Sequence, residues 1–590
     1  MLDLLSRGPF LTAHVMTAVV FFLLRRRFGP GTVTLTPSEG RRTFEGLAAT
    51  FIGSGVAAYA AIQTVRGRVT GEADSRSYHL ANLVEWYRSH SIWHLPFQNA
   101  GYFTATHPGN GELLGVSALA ATGSEQLAYL VTIPFGVLVV LACASMARDL
   151  GGDWGTGALA AVAVVAAPVS FATQANSLAT DLAAAAGLLT SVACLLCFRR
   201  EADNRWLLLA GVALGLGLGS KYTVFVPVAV VALAALALHR LRALWLVPGL
   251  ALFAGPWFIR NAVTTGNPIF PQGVTIGGRE LLPAGDSPLL ALSTSMADHV
   301  LNARTEVLGR WADLAARLYG PVILIALLGL LAAIVRRPRR APVLAVAVLA
   351  AVAVAGYLMT PFTGAGVTGL EFLMGSNLRY ALPATLLGVV LAAATLPRRV
   401  VLVLSGIAVA YDGWKILRGA GFRSDLDVDA TGIALAGIAA VVCLVVALRW
   451  PSVQRIVAGH KVLVAGLGAA VAVLVLVAAV WSVERSREST ELEMALQTLD
   501  PREVIVLGVE DLRSVLGADL DARMRVVSAG GKAGERPYSD GARLDAALPR
   551  SSGAVLVLLP DAPAVPGGWE PARPWRLVER TDQGEIYVRS

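Results

Sequence analysis

The sequence is poor in charge: Asp, Glu, Lys and Arg make up only 15% of its 590 residues. Soluble domains carry about 25%, so a wholly soluble protein is excluded. Cysteine is scarce as well. Cys143, Cys194, Cys197 and Cys443 all lie in apolar stretches, which argues against a disulfide framework. Cys194 and Cys197 form a C-x-x-C, but no redox-fold pattern surrounds them, and they read as small packing residues. Lysine is nearly absent beside abundant Arg, Ala, Gly and Val, a bias expected of a high-GC bacterial genome. No basic patch is interleaved with aromatics. The net charge of +8 therefore reflects membrane orientation and not a nucleic-acid surface. No repeat of 20–50 residues is visible, which argues against solenoids and repeat-built transporters.

What is abundant is apolar: 55% of the residues are hydrophobic and the mean hydropathy is +0.62. The charge that exists is unevenly spread. Residues 482–590 hold 32 of the 90 charged side chains, a density of 29% against 12% in residues 1–481. A membrane region followed by a soluble tail is expected. A spanning helix needs about 20 apolar residues. Fourteen candidates meet that, with soft ends: 9–24, 46–65, 125–147, 154–171, 178–198, 206–219, 222–238, 243–259, 318–335, 341–360, 380–396, 400–414, 431–448 and 462–481. The first has no small-residue cleavage site and reads as a retained span.

Orientation follows from where the cations collect. Alternate connectors carry Arg25–Arg27, Arg148, Arg199 with Arg200 and Arg205, Arg240 with Arg242, Arg336 to Arg340, Arg398 with Arg399, and Arg449, Arg455 and Lys461. Those connectors are cytoplasmic, so loops 66–112 and 260–317 and the tail face outward. The expected organisation is an additional helix and cytoplasmic linker over 1–45, a transmembrane region over 46–481, and an extracytoplasmic module over 482–590. In that module REVIVLG, RMRVVSA and GAVLVLLP read as strands and WRLVERTDQGEIYVRS as a final hairpin turning near Gly584, giving a small α/β domain.

Polar residues at a membrane edge are costly and are default functional candidates. The topology brings several to one rim: Asp74 after the second span, Asp181 opening the fifth, Lys221 between the sixth and seventh, Arg260 and Asn261 ending the eighth, and Arg379 opening the eleventh. Two acids and three cations at the outer headgroup level suit transfer from a lipid-linked phosphate. The cations stabilise the leaving phosphate and a carboxylate takes the proton of an attacking hydroxyl. The segment after Asp74, with Tyr78, Leu80, Ala81, Leu83, Val84 and Trp86, reads as an amphipathic helix lying flat on the interface. Asp74 could instead only cap that helix. Lys221, Arg260 and Arg379 could be snorkelling anchors, with Trp257 and Tyr380 as interface aromatics. Glu72 is a second candidate base. His79 and His107 read as hydrogen-bonded loop histidines, since no metal-ligand spacing accompanies them. Glu112, after HPGNG, reads as a helix cap or an orienting group. Glu371 and Asp412 lie near the outer surface with nothing in their spacing to select them.

On Asp74 with Tyr78–His79, HPGNGELL, Asp181, GSKYT around Lys221, PWFIRNAVTTGNPIFP and NLRYALP, the chain from about 46 to 400 resembles the GT-C superfamily of integral-membrane glycosyltransferases. Within it the resemblance is to the protein-mannosyltransferase and aminoarabinose-transferase (ArnT-like) branch, and to the RgtA/B/C/D-like members. The resemblance implies a GT-C-like helical polytopic fold in a bacterial plasma membrane, a polyprenyl-phosphate sugar donor, and an envelope glycan, lipid or protein as acceptor. It implies an inverting single displacement with Asp74 as base, Asp181 assisting at the acceptor or a metal, and Lys221, Arg260 and Arg379 on the donor phosphate. Tyr78, His79, Glu112, Asn261 and Tyr380 would support them. A divalent metal, Mg or Mn, is left open. Many relatives carry adjacent acids in the first loop, whereas here Ala73 separates Glu72 from Asp74. A transporter or flippase for a lipid-linked or anionic substrate is the alternative, though it would place polar residues near the midplane. A third reading, a scaffold or sensor acting through its tail, would let Asp74, Asp181 and Arg379 be neutralised without loss.

Overall fold

The computed structural model describes residues 44–65, 74–93, 104–122, 125–285, 294–336, 340–360 and 372–417, together with Leu499 and five strands between 503 and 589. The described residues are predominantly helical. In chain order they form α1 (Phe44–Val65), a π-helical turn (Ser75–His79) leading into α2 (Leu80–Ser89), α3 (Asn110–Thr122) and α4 (Thr132–Asp149). Then come α5 (Trp154–Ala166), α6 (Pro168–Gln174), α7 (Asp181–Glu201), α8 (Asn204–Leu218), α9 (Phe225–His239), α10 (Val247–Phe253) and α11 (Gly255–Thr265). After the hairpin of β1 (Val274–Ile276) and β2 (Arg279–Leu282) follow α12 (Met296–Leu301), α13 (Thr305–Tyr319), α14 (Pro321–Arg336) and α15 (Ala341–Met359). The helices close with α16 (Phe372–Asn377), α17 (Leu382–Thr395) and α18 (Arg398–Leu417).

Among the described residues six helices are long and apolar enough to cross a membrane, or up to eight if each of two bent pairs is one span. The expected stretches 9–24, 431–448 and 462–481 lie outside the described residues, as do Glu72 and Glu371. One expected span is broken: residues 154–171 bend by 63° between α5 and α6. A second bend, 100° between α13 and α14, falls at the edge of the expected span 318–335, which survives as α14. Pro168 and Pro321 open the second member of each pair, where a missing N–H is tolerated and continuation of the preceding helix is not. The short stretch at 206–219 forms α8, a shorter apolar helix capped at Asp203, whose side chain accepts from Arg205 N at 2.9 Å.

Residues 222–253 form one helical run, yet the chain reverses inside it at Arg240, whose φ is 51°. The neighbours of α8 show the reversal. Gly211 faces Leu246, Gly215 faces Gly249 and Leu250, and Gly219 faces Phe253, so the segment after Arg240 runs parallel to α8. Backbones come this close only where no Cβ intervenes, the small-residue packing of membrane helices. A Cβ on Gly249 would overlap the backbone of Gly211 and Val212. Neither side can yield, so Gly249→Val should cost about 3 kcal/mol or more by overpacking. A lowered thermal midpoint of the detergent-solubilised protein checks this.

The main core joins α4, α5, α7, α8, α14, α15 and α17, with α17 buried on every side. A helix apolar all round belongs inside a bundle. The C-terminal strands β3 (Glu503–Leu507), β4 (Arg523–Val526), β5 (Ala554–Leu558), β6 (Trp575–Thr581) and β7 (Gly584–Arg589) form one mixed sheet in the order β4-β3-β5-β7-β6. β3 is parallel to β4 and β5, and β6 and β7 pair antiparallel as the expected hairpin, with Thr581 opposite Gly584. Val555, Val557 and Ile586 of this sheet share an apolar cluster with Leu83, Trp86 and Trp257.

Candidate active site

Four of the sequence-selected residues meet in one row. Arg379, just ahead of α17, contacts Asp74 Oδ2 through Nη2, and its Nε lies 3.2 Å from Asp181 Oδ2. Lys221 Nζ lies 2.8 Å from the other Asp181 oxygen. Charges therefore alternate along Asp74, Arg379, Asp181 and Lys221. The Tyr380 ring lies against both cations, 4.6 Å from Lys221 Nζ and 5.5 Å from Arg379 Cζ. Arg379 and Asp181 are almost fully buried, Lys221 nearly so, and Asp74 keeps 30% of its side chain exposed. The row thus has a closed end and one open carboxylate.

Local structure explains each placement. Asp74 precedes the π-helical turn in helical backbone geometry and makes no side-chain cap, so the capping reading does not hold. Tyr78 O–H donates to Asp74 Oδ2 at 3.4 Å. The apolar face of α2 is packed inside protein, with Leu80, Ala81, Leu83, Val84 and Trp86 buried against α3, Tyr129, Leu178 and Trp257. This corrects the expectation of a helix lying on lipid: its apolar stripe is consumed by the protein. Asp181 opens α7, and the preceding turn is held by Asn176 in left-handed geometry (φ 53°) and by Ser75 Oγ, which accepts from Leu178 N at 2.9 Å. Lys221 is extended ahead of a 3₁₀ turn and is spent on Asp181, not on snorkelling.

Sequence reasoning missed Gln174. Its Nε2 donates to Asp181 Oδ2 at 3.2 Å while its Oε1 accepts from Leu182 N at 3.1 Å, so it orients the acid and caps α7 together. The only signal was a glutamine in a polar stretch, SFATQANSLAT, just ahead of Asp181. Ser376, which accepts from Arg379 Nη1 at 3.2 Å, was likewise unread.

Arg260 and Asn261 stand in a second cluster. The Arg260 guanidinium donates to the carbonyls of Ile92 and His107 at 3.3 and 3.2 Å and to Asn261 Oδ1, and lies over the Trp257 ring. Asn261 Nδ2 donates to Thr106 O and Tyr222 Oη, both at 2.8 Å. These residues tie the first outer loop to α11. His79 and Glu112 form a buried pair at 2.7 Å. His107, set aside in sequence, has its ring edge-on to Tyr78 and Tyr222 at the side of the row.

The electrostatics favour an ionised Asp74. Burial would raise its carboxyl, but Arg379, then His79 and Lys221, outweigh that and hold it below the ordinary value of 3.8. Burial, with Lys221 and His79 nearby, lowers His107 to about 4. A depressed acid contributes stability above its unfolded value and loses it as pH falls through the folded one. Neither group changes charge between pH 5 and 7. Turnover per enzyme should therefore show no acid limb from either within that window, measured as kcat/KM against pH.

An apolar crevice of about 420 Å³ runs along α1, from Gly46 to Ala60, between α4 and the α5–α6 pair. Fourteen residues of helix rise about 21 Å, much of a hydrocarbon core. Its lining includes Ser170, Gln174 and Leu182, and Gln174 links it to Asp181.

Six helices long and apolar enough to cross a membrane, among the described residues, define a multi-pass membrane protein that carries this ionic row. Residues 117–263 match the family described as dolichyl-phosphate-mannose-protein mannosyltransferase. In structure the chain is similar to ArnT from Cupriavidus metallidurans bound to undecaprenyl phosphate, with a TM-score of 0.52 and 16% identity over 92% of this chain and 98% of that one. A weaker likeness, TM-score 0.35 and 13% identity over 75% of this chain and 45% of the other, is to the arabinosyltransferase EmbB from Mycobacterium smegmatis. No curated protein matches it in sequence. The chain thus has an ArnT-like fold, with the family match confined to residues 117–263.

Proposed function

We propose that the chain transfers a sugar from a polyprenyl-phosphate donor to an envelope acceptor on the outer face of a bacterial plasma membrane. The observation that carries this reading is the Asp74–Arg379–Asp181–Lys221 row, in which one exposed carboxylate stands beside two fixed cations. The acceptor hydroxyl attacks the anomeric carbon, Asp74 takes its proton, and the bond to the phosphate oxygen breaks with inversion. Arg379 and Lys221 hold the charge that develops on the departing polyprenyl phosphate. Asp181, oriented by Gln174, keeps both cations in place. The crevice along α1 suits the isoprenoid of such a donor, and the solved relative is itself bound to undecaprenyl phosphate.

Asp74 and Asp181 are each engaged by a cation, and among the described residues no three His, Cys, Asp or Glu converge as metal ligands. In this reading no step is routed through Mg or Mn. Arg260 and Asn261, committed to the loop carbonyls, serve in this reading by shaping the entrance. The reading divides the chain as the charge pattern does: residues 1–45 precede the catalytic region, 46–481 carry it, and 482–590 form an outer module over α2 that guides the acceptor. The test is a membrane assay with a panel of radiolabelled polyprenyl-phosphate sugars. One label should move to an envelope component; if none moves, the reading fails. Cysteine labelling that put residue 181 or 221 on the inner face, away from 74, would also overturn it.

A further inference from the structure

The end of the bundle opposite the ionic row carries cations of its own. Asp181 opens α7 and Glu201 closes it after 21 residues. That is about 30 Å, so the two ends stand at opposite faces of a hydrocarbon core. At the far end three helix junctions come level. Phe198 of α7 meets His239 of α9 ring to ring at 4.8 Å. The segment after Arg240 runs beside α8 with Leu246 against Gly211, which puts Arg240 level with Arg205. Part of the charge there is already spent. Arg200 pairs with Asp149 and Glu201, and Arg205 with Asp203. Arg199, Arg240 and Arg242 are exposed and, among the described residues, meet no carboxylate.

Snorkelling into water would serve a lone arginine. It does not account for what surrounds these. From Arg240 to Leu246 the chain is a 3₁₀ helix of seven residues, where runs beyond three or four are uncommon. At three residues per turn the side chains at i and i+3 eclipse, giving three ridges. Ala243 and Leu246 occupy the ridge buried beside α8. Leu241 and Leu244 share the second, and Leu241 is 79% exposed. Arg242 and Trp245 share the third, with Trp245 48% exposed. An apolar ridge therefore lies beside one that joins a guanidinium to an indole, at the level where a spanning run turns back. A phospholipid matches both. Its phosphodiester accepts parallel hydrogen bonds from a guanidinium, and its acyl chain covers the leucines. Water would satisfy the cations and leave the leucines bare. An apolar protein surface would cover the leucines and strand the cations. A zwitterionic headgroup would bring an ammonium to three cations, so the match is to an anionic lipid.

We propose that the Arg240–Leu246 turn, with Arg199 next to the Phe198–His239 contact, binds an anionic phospholipid of the leaflet opposite the row. The arginines take the phosphodiester, and the Leu241–Leu244 ridge takes an acyl chain. Bound lipid clamps together the far ends of α7, α8 and α9, the elements whose other ends set Asp181 and Lys221. The site stands apart from the glycosyl-transfer reading and does not rest on it.

The test places the full chain in phosphatidylcholine nanodiscs with a trace of photoactivatable phosphatidylglycerol or, in parallel, of photoactivatable phosphatidylcholine, each carrying a diazirine in one acyl chain. Proteolysis and mass spectrometry locate the label after irradiation. The glycerol probe should mark residues 238–247 about fivefold or more above the choline probe, the preference expected from one engaged guanidinium. Leu327 and Leu331, exposed on α14, should take both probes equally. Arg240→Gln with Arg242→Gln should remove the preference at 238–247. Should that variant fold poorly, Arg199→Gln with Arg242→Gln, which leaves the turn residue in place, should lower it. Equal labelling of 238–247 by the two probes in the parent, or an unchanged preference in a variant with the parent's thermal midpoint, overturns the proposal. So does loss of the preference in excess glycerol 3-phosphate, which would mark a site for soluble phosphate. Protection of 238–247 from both probes would mark a protein contact, such as a second copy of the chain, and would overturn it as well.

Discussion

Asp74→Asn should reduce turnover by a factor of 10² to 10⁴, the range that a positioned general base supplies. Donor binding should stay equal or become tighter. The carboxylate that contacts Arg379 in this structure is the group a donor phosphate must displace, and an amide holds the guanidinium less strongly. The expected signature is a fall in kcat with KM for the donor unchanged or lower. Asp74 is partly exposed and caps nothing, so the variant should fold with a thermal midpoint close to the parent. Single-turnover transfer with donor saturating separates chemistry from binding. Normal turnover by Asp74→Asn would remove this residue as the base.

Arg379 carries the second large effect. It is 1% exposed and serves two carboxylates at once, so Arg379→Ala leaves the buried Asp181 with Lys221 as its one remaining cation and frees Asp74. Breaking a buried pair from one side costs about 3–5 kcal/mol, and the thermal midpoint should fall clearly. Arg379→Lys isolates the recognition component. It keeps the charge but loses the planar fork that reaches Asp74, Asp181 and Ser376 together. Losing one or two charge-assisted hydrogen bonds, about 1.5–3 kcal/mol each, should weaken donor binding by roughly 10- to 100-fold or more. Binding of labelled undecaprenyl phosphate to the folded Lys variant is the measurement. Unchanged affinity there would take Arg379 out of donor recognition.

The clustering of the candidate residues was legible because membrane topology constrains where helix ends can go. Asp74, Asp181, Lys221 and Arg379 stand at the ends of different apolar segments, and the distribution of Arg fixes which ends share a rim. Hydropathy says nothing about how helix ends interlock. The pairing of Arg379 with both acids needed the structure, as did the role of Gln174, because one amide among several small polar residues looks the same whether it packs or orients. The helix breaks at Pro168 and Pro321 had a visible cause that composition averaged away. Arg260 shows the opposite failure. Its sequence context suited an interface cation, but its three nitrogens are occupied by protein oxygens. The α2 segment was correctly read as amphipathic and wrongly assigned to lipid, since periodicity records an apolar face without naming what covers it.

The alternating row has one further consequence. Two carboxylates cancel two cations, so the vestibule offers an approaching anion no net pull from a distance. On the glycosyl-transfer reading, long-range attraction does not gather the donor, and its arrival becomes a two-dimensional search, with the greasy anchor sliding sideways out of the leaflet until its head group meets the row. Selection then falls to the tail first and the sugar last.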